Sequence, residues 1–155
     1  MTAAAGPIAI DLDGALGDTQ RLWHAWLESV TTLFELDLAE LPESRAEAAD
    51  ELDRRGAGNW RTLLERFCEE RAPVYLRRDP AASAALRSLE AAHREIGVFT
   101  DAPEPLARVA LAQLGVARRA SFLETGAGAL ERLLERLGED AVVVRTQEEL
   151  LSASA

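Results

Sequence analysis

The chain has 155 residues, 48% of them hydrophobic and 28% charged, which suits one domain with enough apolar material for a core. Acidic residues outnumber basic ones 27 to 17, and the formal net charge of −10 argues against binding to a nucleic-acid backbone. Every basic residue is arginine, so Schiff-base chemistry and a P-loop lysine are excluded. One cysteine, Cys68, rules out an intrachain disulfide, and His24 and His93 are too few imidazoles to favour a structural zinc site.

Met1 to Pro7 lacks the pattern of a signal peptide, and no apolar run approaches a membrane span. The expectation is a soluble, cytoplasmic protein with no membrane partner.

The first strand is expected at residues 8–12, Ile-Ala-Ile-Asp-Leu. Asp18 follows as a candidate cap for a helix whose apolar face is Leu22, Trp23, Trp26, Leu27, Val30, Leu33 and Phe34. Ser44-Arg45-Ala46-Glu47 has the capping-box pattern, opening a second helix that Gly56 closes. Asn59 opens a third with Trp60, Leu63, Leu64 and Phe67 inward, and Pro73 is expected after its end. Asp79-Pro80 reads as N-cap and N1 of a helix returning to the sheet.

Further strands are expected at 96–100, 121–124 and 141–144, each short and apolar on both faces, as buried parallel strands are. Helices over 103–114 and 129–137 separate them, ending at Gly115 and Gly138. Strand alternating with helix predicts an α/β fold with a parallel sheet. More than eighty residues between the first two strands exceed any ordinary crossover. They predict a helical insert over 18–75, the core being 1–17 and 76–155.

The chemistry-bearing segment is Asp11-Leu12-Asp13-Gly14-Ala15-Leu16-Gly17-Asp18-Thr19. A buried strand runs straight into two carboxylates two residues apart, at the carboxyl end where open α/β sheets bind ligands. The segment resembles the first motif of the haloacid-dehalogenase-like (HAD-like) hydrolases, and Phe99-Thr100-Asp101 resembles their second. The helical insert is similar to their cap domain, and the resemblance spans essentially the whole chain.

That resemblance implies a Rossmann-like core with sheet order 4-1-2-3 and a phosphatase of small phosphomonoesters. Asp11 would be the nucleophile forming an aspartyl-phosphate, and Asp13 the general acid/base. Thr100, Asp101 and Arg145 would contact phosphate. Mg²⁺ would be held by Asp11 and Asp13.

Two motifs depart from the family pattern. No lysine stands in the third, where the surrounding cations are Arg118, Arg119 and Arg132, all read as solvated charges. At the fourth, Arg145-Thr146 replaces the metal-binding acid, leaving Glu148 or Glu149 as substitutes. The resemblance therefore implies weak Mg²⁺ binding, low activity, and an Arg145 ion pair with Asp11 or Asp13. The alternatives are a catalytically silent protein binding a phosphorylated ligand or a protein partner, and metal-free dehalogenase chemistry, against which Asp13 counts.

Trp23, Trp26 and Trp60 are expected in the core of the insert, His24 on the surface and Cys68 inert. Arg77 and Arg78 are expected as a surface pair at the insert's return.

Overall fold

The computed structural model describes residues 6–155; residues 1–5, including most of the stretch read as lacking a leader, lie outside them. Four parallel strands, β1 (Ile8–Asp11), β2 (Ile96–Thr100), β3 (Phe122–Thr125) and β4 (Val142–Val144), form one sheet in the order β3-β2-β1-β4. Read from the other edge this is the order 4-1-2-3. The register sets Asp11 opposite Phe99 and Thr100 opposite Thr125, so Asp11 and Thr100 end neighbouring central strands on the same edge.

Alternation along the strands explains the two-sided core. Ile8, Ile10, Ile96 and Val98 join one large cluster, whereas Ala9 and Phe99 face a smaller one built on Ala129, Leu133 and Leu137 of α6 (Ala129–Leu137). Gly97 belongs to the α6 side: a Cβ there would lie 2.5 Å from the Leu133 side chain, so the helix rides directly on the strand. The remaining crossover helices are α4 (Pro80–Ala91), α5 (Glu104–Gln113) and α7 (Gln147–Ser154). Asp79 caps α4 through the amides of Ala81 and Ala82, with Pro80 at N1 as expected.

Residues 20–75 are helical throughout their main elements: α1 (Gln20–Phe34), α2 (Arg45–Arg54) and α3 (Trp60–Tyr75). Trp23, Trp26 and Trp60 are enclosed and stack in sequence, with ring centroids 5.3 and 5.9 Å apart. Such tilted aromatic pairs add to plain area burial and fix how α1 meets α3. His24 is exposed, and burial together with Glu65 and Glu69 pushes the Cys68 thiol up to about 12, so it is inert as a nucleophile.

Two local expectations need correction. Pro73 lies inside α3 rather than beyond it. It sits in the final turn, where a missing N–H costs one bond, and the Leu76 amide still closes on the Ala72 carbonyl at 2.8 Å. Helix α1 takes Thr19, not Asp18, as N-cap residue, although Asp18 Oδ1 accepts from the Gln20 amide at 2.9 Å, and Thr19 makes no side-chain capping bond. Its hydroxyl is engaged elsewhere, as described below. Among the described residues no helix is long and apolar enough to cross a membrane.

Leu133 is fully buried between α6 and β2, in the smaller and less redundant of the two clusters. Leu133→Ala should therefore cost about 2–5 kcal/mol of unfolding free energy. Urea denaturation checks this, and an unchanged midpoint would mean that α6 is not packed on the sheet as described.

Candidate active site

After Asp11 the chain leaves the sheet through one wide turn, residues 12–16, closed by the Gly17 amide on the Leu12 carbonyl at 3.0 Å. Gly14 is required there by close approach, since any Cβ would run into the Arg145 carbonyl oxygen. The turn folds Asp13 back beside Asp11, and the Asp13 amide donates to Asp11 Oδ1 at 3.1 Å.

The two carboxylates have opposite surroundings. Burial and the charge of Asp13 raise the Asp11 pKa above the ordinary carboxylate range, against the Asp13 and Gly14 amides and Arg145. Burial also works against the charge on Asp13, but Arg45 together with Thr19 outweighs it and holds that pKa below the ordinary range. Both Asp13 oxygens are fully engaged. Oδ1 accepts from the Thr19 amide at 3.0 Å and from the Thr19 hydroxyl. Oδ2 accepts from Arg45 Nη2 at 2.5 Å and from the Thr100 hydroxyl at 2.9 Å.

Arg45 is the residue that sequence reasoning missed. It is the first residue of α2, its side chain is fully buried, and its guanidinium is ringed by the polar groups of the site. Besides Asp13 it reaches Asp101 Oδ1 from Nη2 at 2.7 Å and from Nε at 3.0 Å, and it donates from Nη1 to the Thr19 hydroxyl at 2.6 Å. Its backbone amide donates to Asp101 Oδ2 at 3.2 Å, so Asp101 also places an anion at the start of α2. The Thr19 hydroxyl donates to Asp13 and accepts from Arg45, and these two partners turn it away from the amides of α1. The Thr100 hydroxyl is equally committed, since it accepts from the Ala102 amide at 3.2 Å while its proton goes to Asp13.

The expected ion pair of Arg145 with these acids is overturned. Among the described residues none joins Arg145 to Asp11 or Asp13, and the guanidinium on Asp13 is Arg45. Arg145 instead lies over the Phe99 ring at 5.6 Å, exposed, and acts on Asp11 only through its field. β4 ends beside β1, but the Arg145 carbonyl packs on Gly14 while its side chain turns outward over β2. Glu149 folds back as the N-terminal cap of α7, accepting from the Arg145 amide at 2.7 Å and the Thr146 amide at 3.1 Å. Glu148 is exposed in that same first turn. Arg132 pairs with Glu124 at 2.9 Å and Arg119 with Glu90 at 2.6 Å, so both serve local structure.

A cleft of about 350 Å³ opens over the two acids, lined among others by Gln20, Phe99, Gly126 and Leu130. It brings together Asp11, Asp13, Thr100 and Asp101, all named from the sequence, with Arg45 at its floor.

The residues present do not fit a Mg²⁺ ion. That cation needs near-octahedral oxygen coordination, and among the described residues no three acidic, histidine or cysteine side chains converge on a common point. The Asp13 carboxylate is spent on Arg45 and Thr100, and Arg145-Thr146 stands where a further acid would complete a set around Asp11.

No protein-family model matches the sequence, and no curated protein matches it. Solved structures do match in shape. A candidate β-phosphoglucomutase from Thermotoga maritima superposes with a TM-score of 0.55 at 17% identity, covering 96% of this chain and 81% of that one. The β-phosphoglucomutase of Clostridium difficile gives 0.50 at 15% identity, with the same coverages. The fold is haloacid-dehalogenase-like. Within that fold, Asp11 and Asp13 occupy the carboxyl edge of the central strand β1, and the helical insert follows β1 directly.

The contrast between the two acids gives a stability prediction with opposite signs. Asp11 has a raised folded pKa, so its ionisation disfavours the fold, a cost that sets in above the unfolded pKa of about 3.9 and is complete above the folded value. Asp11→Asn should raise the melting temperature at pH 7. Asp13 has a lowered folded pKa, so its stabilisation is present above the unfolded pKa of about 3.9 and is lost as pH falls through the folded value. Asp13→Asn strips Arg45 of a partner and should lower stability by roughly 2 kcal/mol at pH 7. Calorimetric melting of both variants checks this; equal shifts would contradict the assignment.

Proposed function

We propose that this chain is a HAD-like hydrolase of small phosphomonoesters, with Asp11 as nucleophile, and that turnover is low in the arrangement described. The observation that carries the reading is Asp11 itself. It lines the cleft at the end of β1, has no cation paired to it among the described residues, and accepts from the Asp13 and Gly14 amides of its own turn. A carboxylate left unpaired beside a second acid and a threonine hydroxyl has a chemical use and a structural cost.

In the proposed reaction an Asp11 oxygen forms a bond to phosphorus as the bond to the leaving oxygen breaks. The leaving oxygen takes a proton from Asp13. Asp13, now a carboxylate, then removes a proton from water as its oxygen attacks phosphorus, which releases inorganic phosphate and restores Asp11. Arg145 at the rim supplies positive charge to the incoming anion. Residues 18–75 act as a cap over the cleft, and the partner is a small phosphorylated molecule handled in the cytoplasm. No step is assigned to Mg²⁺, since the donors do not fit it.

A second reading, a catalytically silent protein that binds a ligand or a protein partner, is favoured by one observation. Asp13 must carry a proton to act as acid, yet Arg45 holds it ionised. The net charge of Asp11, Asp13 and Asp101 against Arg45 also opposes a phosphate dianion.

A screen of small phosphomonoesters, with and without Mg²⁺, tests the first reading. Slow release of inorganic phosphate is expected, little changed by the metal and reduced at least 100-fold in folded Asp11→Asn. Turnover that survives in Asp11→Asn rejects Asp11 as nucleophile. Release accelerated many-fold by Mg²⁺ rejects the donor argument.

A further inference from the structure

We infer that Arg45 is an autoinhibitory tether: by occupying Asp13, Thr100 and Asp101 it holds the start of α2 on the sheet edge and withholds the acid/base from any ligand. The inference rests on the hydrolase reading for its inhibitory part and on geometry alone for the tether.

Three features carry it. The guanidinium consumes the groups that chemistry would need. Asp13 has no oxygen lone pair left free to carry the proton that a leaving group would take, and the single Thr100 proton is already donated. The contact is also made by a residue of the insert. Arg45 reaches Asp101 through its side chain and through its backbone amide, so the side chain cannot leave without loosening the first turn of α2.

The flanks of α2 are built to permit movement. Behind it, Gly56 and Gly58 both hold positive φ, 65° and 63°, with open space where a side chain would be. Ahead of it, Glu35 ends α1 in a left-handed conformation, and the stretch to Ser44 carries only the short, exposed turn Leu38–Glu40, with Leu36 and Leu41 half-buried on either side of it. What otherwise secures α2 is a short apolar face, Ala48, Ala49 and Leu52, and the hold on Asp53, which accepts from Trp60 Nε1 at 2.9 Å and pairs with Arg61 through two bonds at 2.8 and 3.0 Å. Those contacts lie toward the middle and far end of the helix. They leave a pivot about which the Arg45 end can lift. A buried ion pair suits such a device, because its desolvation offsets most of its Coulomb gain and returning it to water costs little.

The tether is tested by hydrogen exchange across residues 45–54 and by phosphomonoester turnover on the same preparations of full-length protein. Arg45→Gln should raise exchange in the first turns of α2 at least tenfold while the rest of the fold keeps its protection, and Arg45→Lys should restore part of it. Asp101→Ala, which removes the acceptors of both the side-chain and the backbone anchor, should do the same and stands in if Arg45→Gln does not fold. Release of the tether with turnover raised tenfold or more supports the whole inference. Release of the tether with no turnover in any variant supports the tether and rejects the hydrolase reading. Release with turnover present but unchanged or lower overturns autoinhibition and leaves Arg45 as a positioning residue. Unchanged exchange in both variants overturns the tether itself.

Discussion

A guanidinium without any solvent exposure stays in place only if anions meet it, and Arg45 is met by Asp13 and Asp101 at 2.5 and 2.7 Å. That one requirement organises the site. It fixes Asp13 in its ionised form, engages the Thr19 hydroxyl and anchors the first turn of α2 on the sheet edge. It also joins the helical insert to the sheet edge, because the cation comes from one and the anions from the other.

The consequence is a division between two neighbouring acids. Asp13 is electrostatically satisfied and geometrically locked. Asp11 is left facing the cleft with its charge poorly compensated, as the raised pKa records. A protein gains nothing in stability from that arrangement at Asp11, and such local cost is usual where a group is kept for chemistry. The same division argues against a metal, since Asp13 is already shared with Arg45 and, among the described residues, no third acid converges with Asp11 and Asp13.

Much of the fold was legible in sequence because periodicity and punctuation agreed. Ile8 to Asp11 and Ile96 to Thr100 are apolar on both faces, and the structure shows why: Ile8 and Ile10 face one cluster, Ala9 and Phe99 the other. Gly115 and Gly138 both take positive φ after their helices, as C-terminal glycines do. Asp11, Asp13, Thr100 and Asp101 were legible because strand ends deliver their side chains to one edge. Arg45 was not. In the sequence it is the second residue of a capping box, Ser44 to Glu47, and nothing in that pattern tells a surface arginine from a buried one. Its role is created by 56 residues of separation from Asp101, which only the packing of the insert closes. The sequence points to Arg145 instead because β4 neighbours β1; the adjacency holds, but the Arg145 side chain turns outward over Phe99. A hint was present: two acids at a strand end demand a cation, and with every basic residue an arginine the insert was as entitled to supply it as the core.

The central claim is that Arg45 and Asp13 act on each other directly, and a double-mutant cycle on unfolding free energy measures that most simply. Arg45→Gln, Asp13→Asn and the double variant are denatured in urea at pH 7, where Asp13 is ionised. The account predicts a coupling on the order of 1–3 kcal/mol, the double variant being less destabilised than the two single changes added together. Additive effects, with coupling near zero, would contradict it.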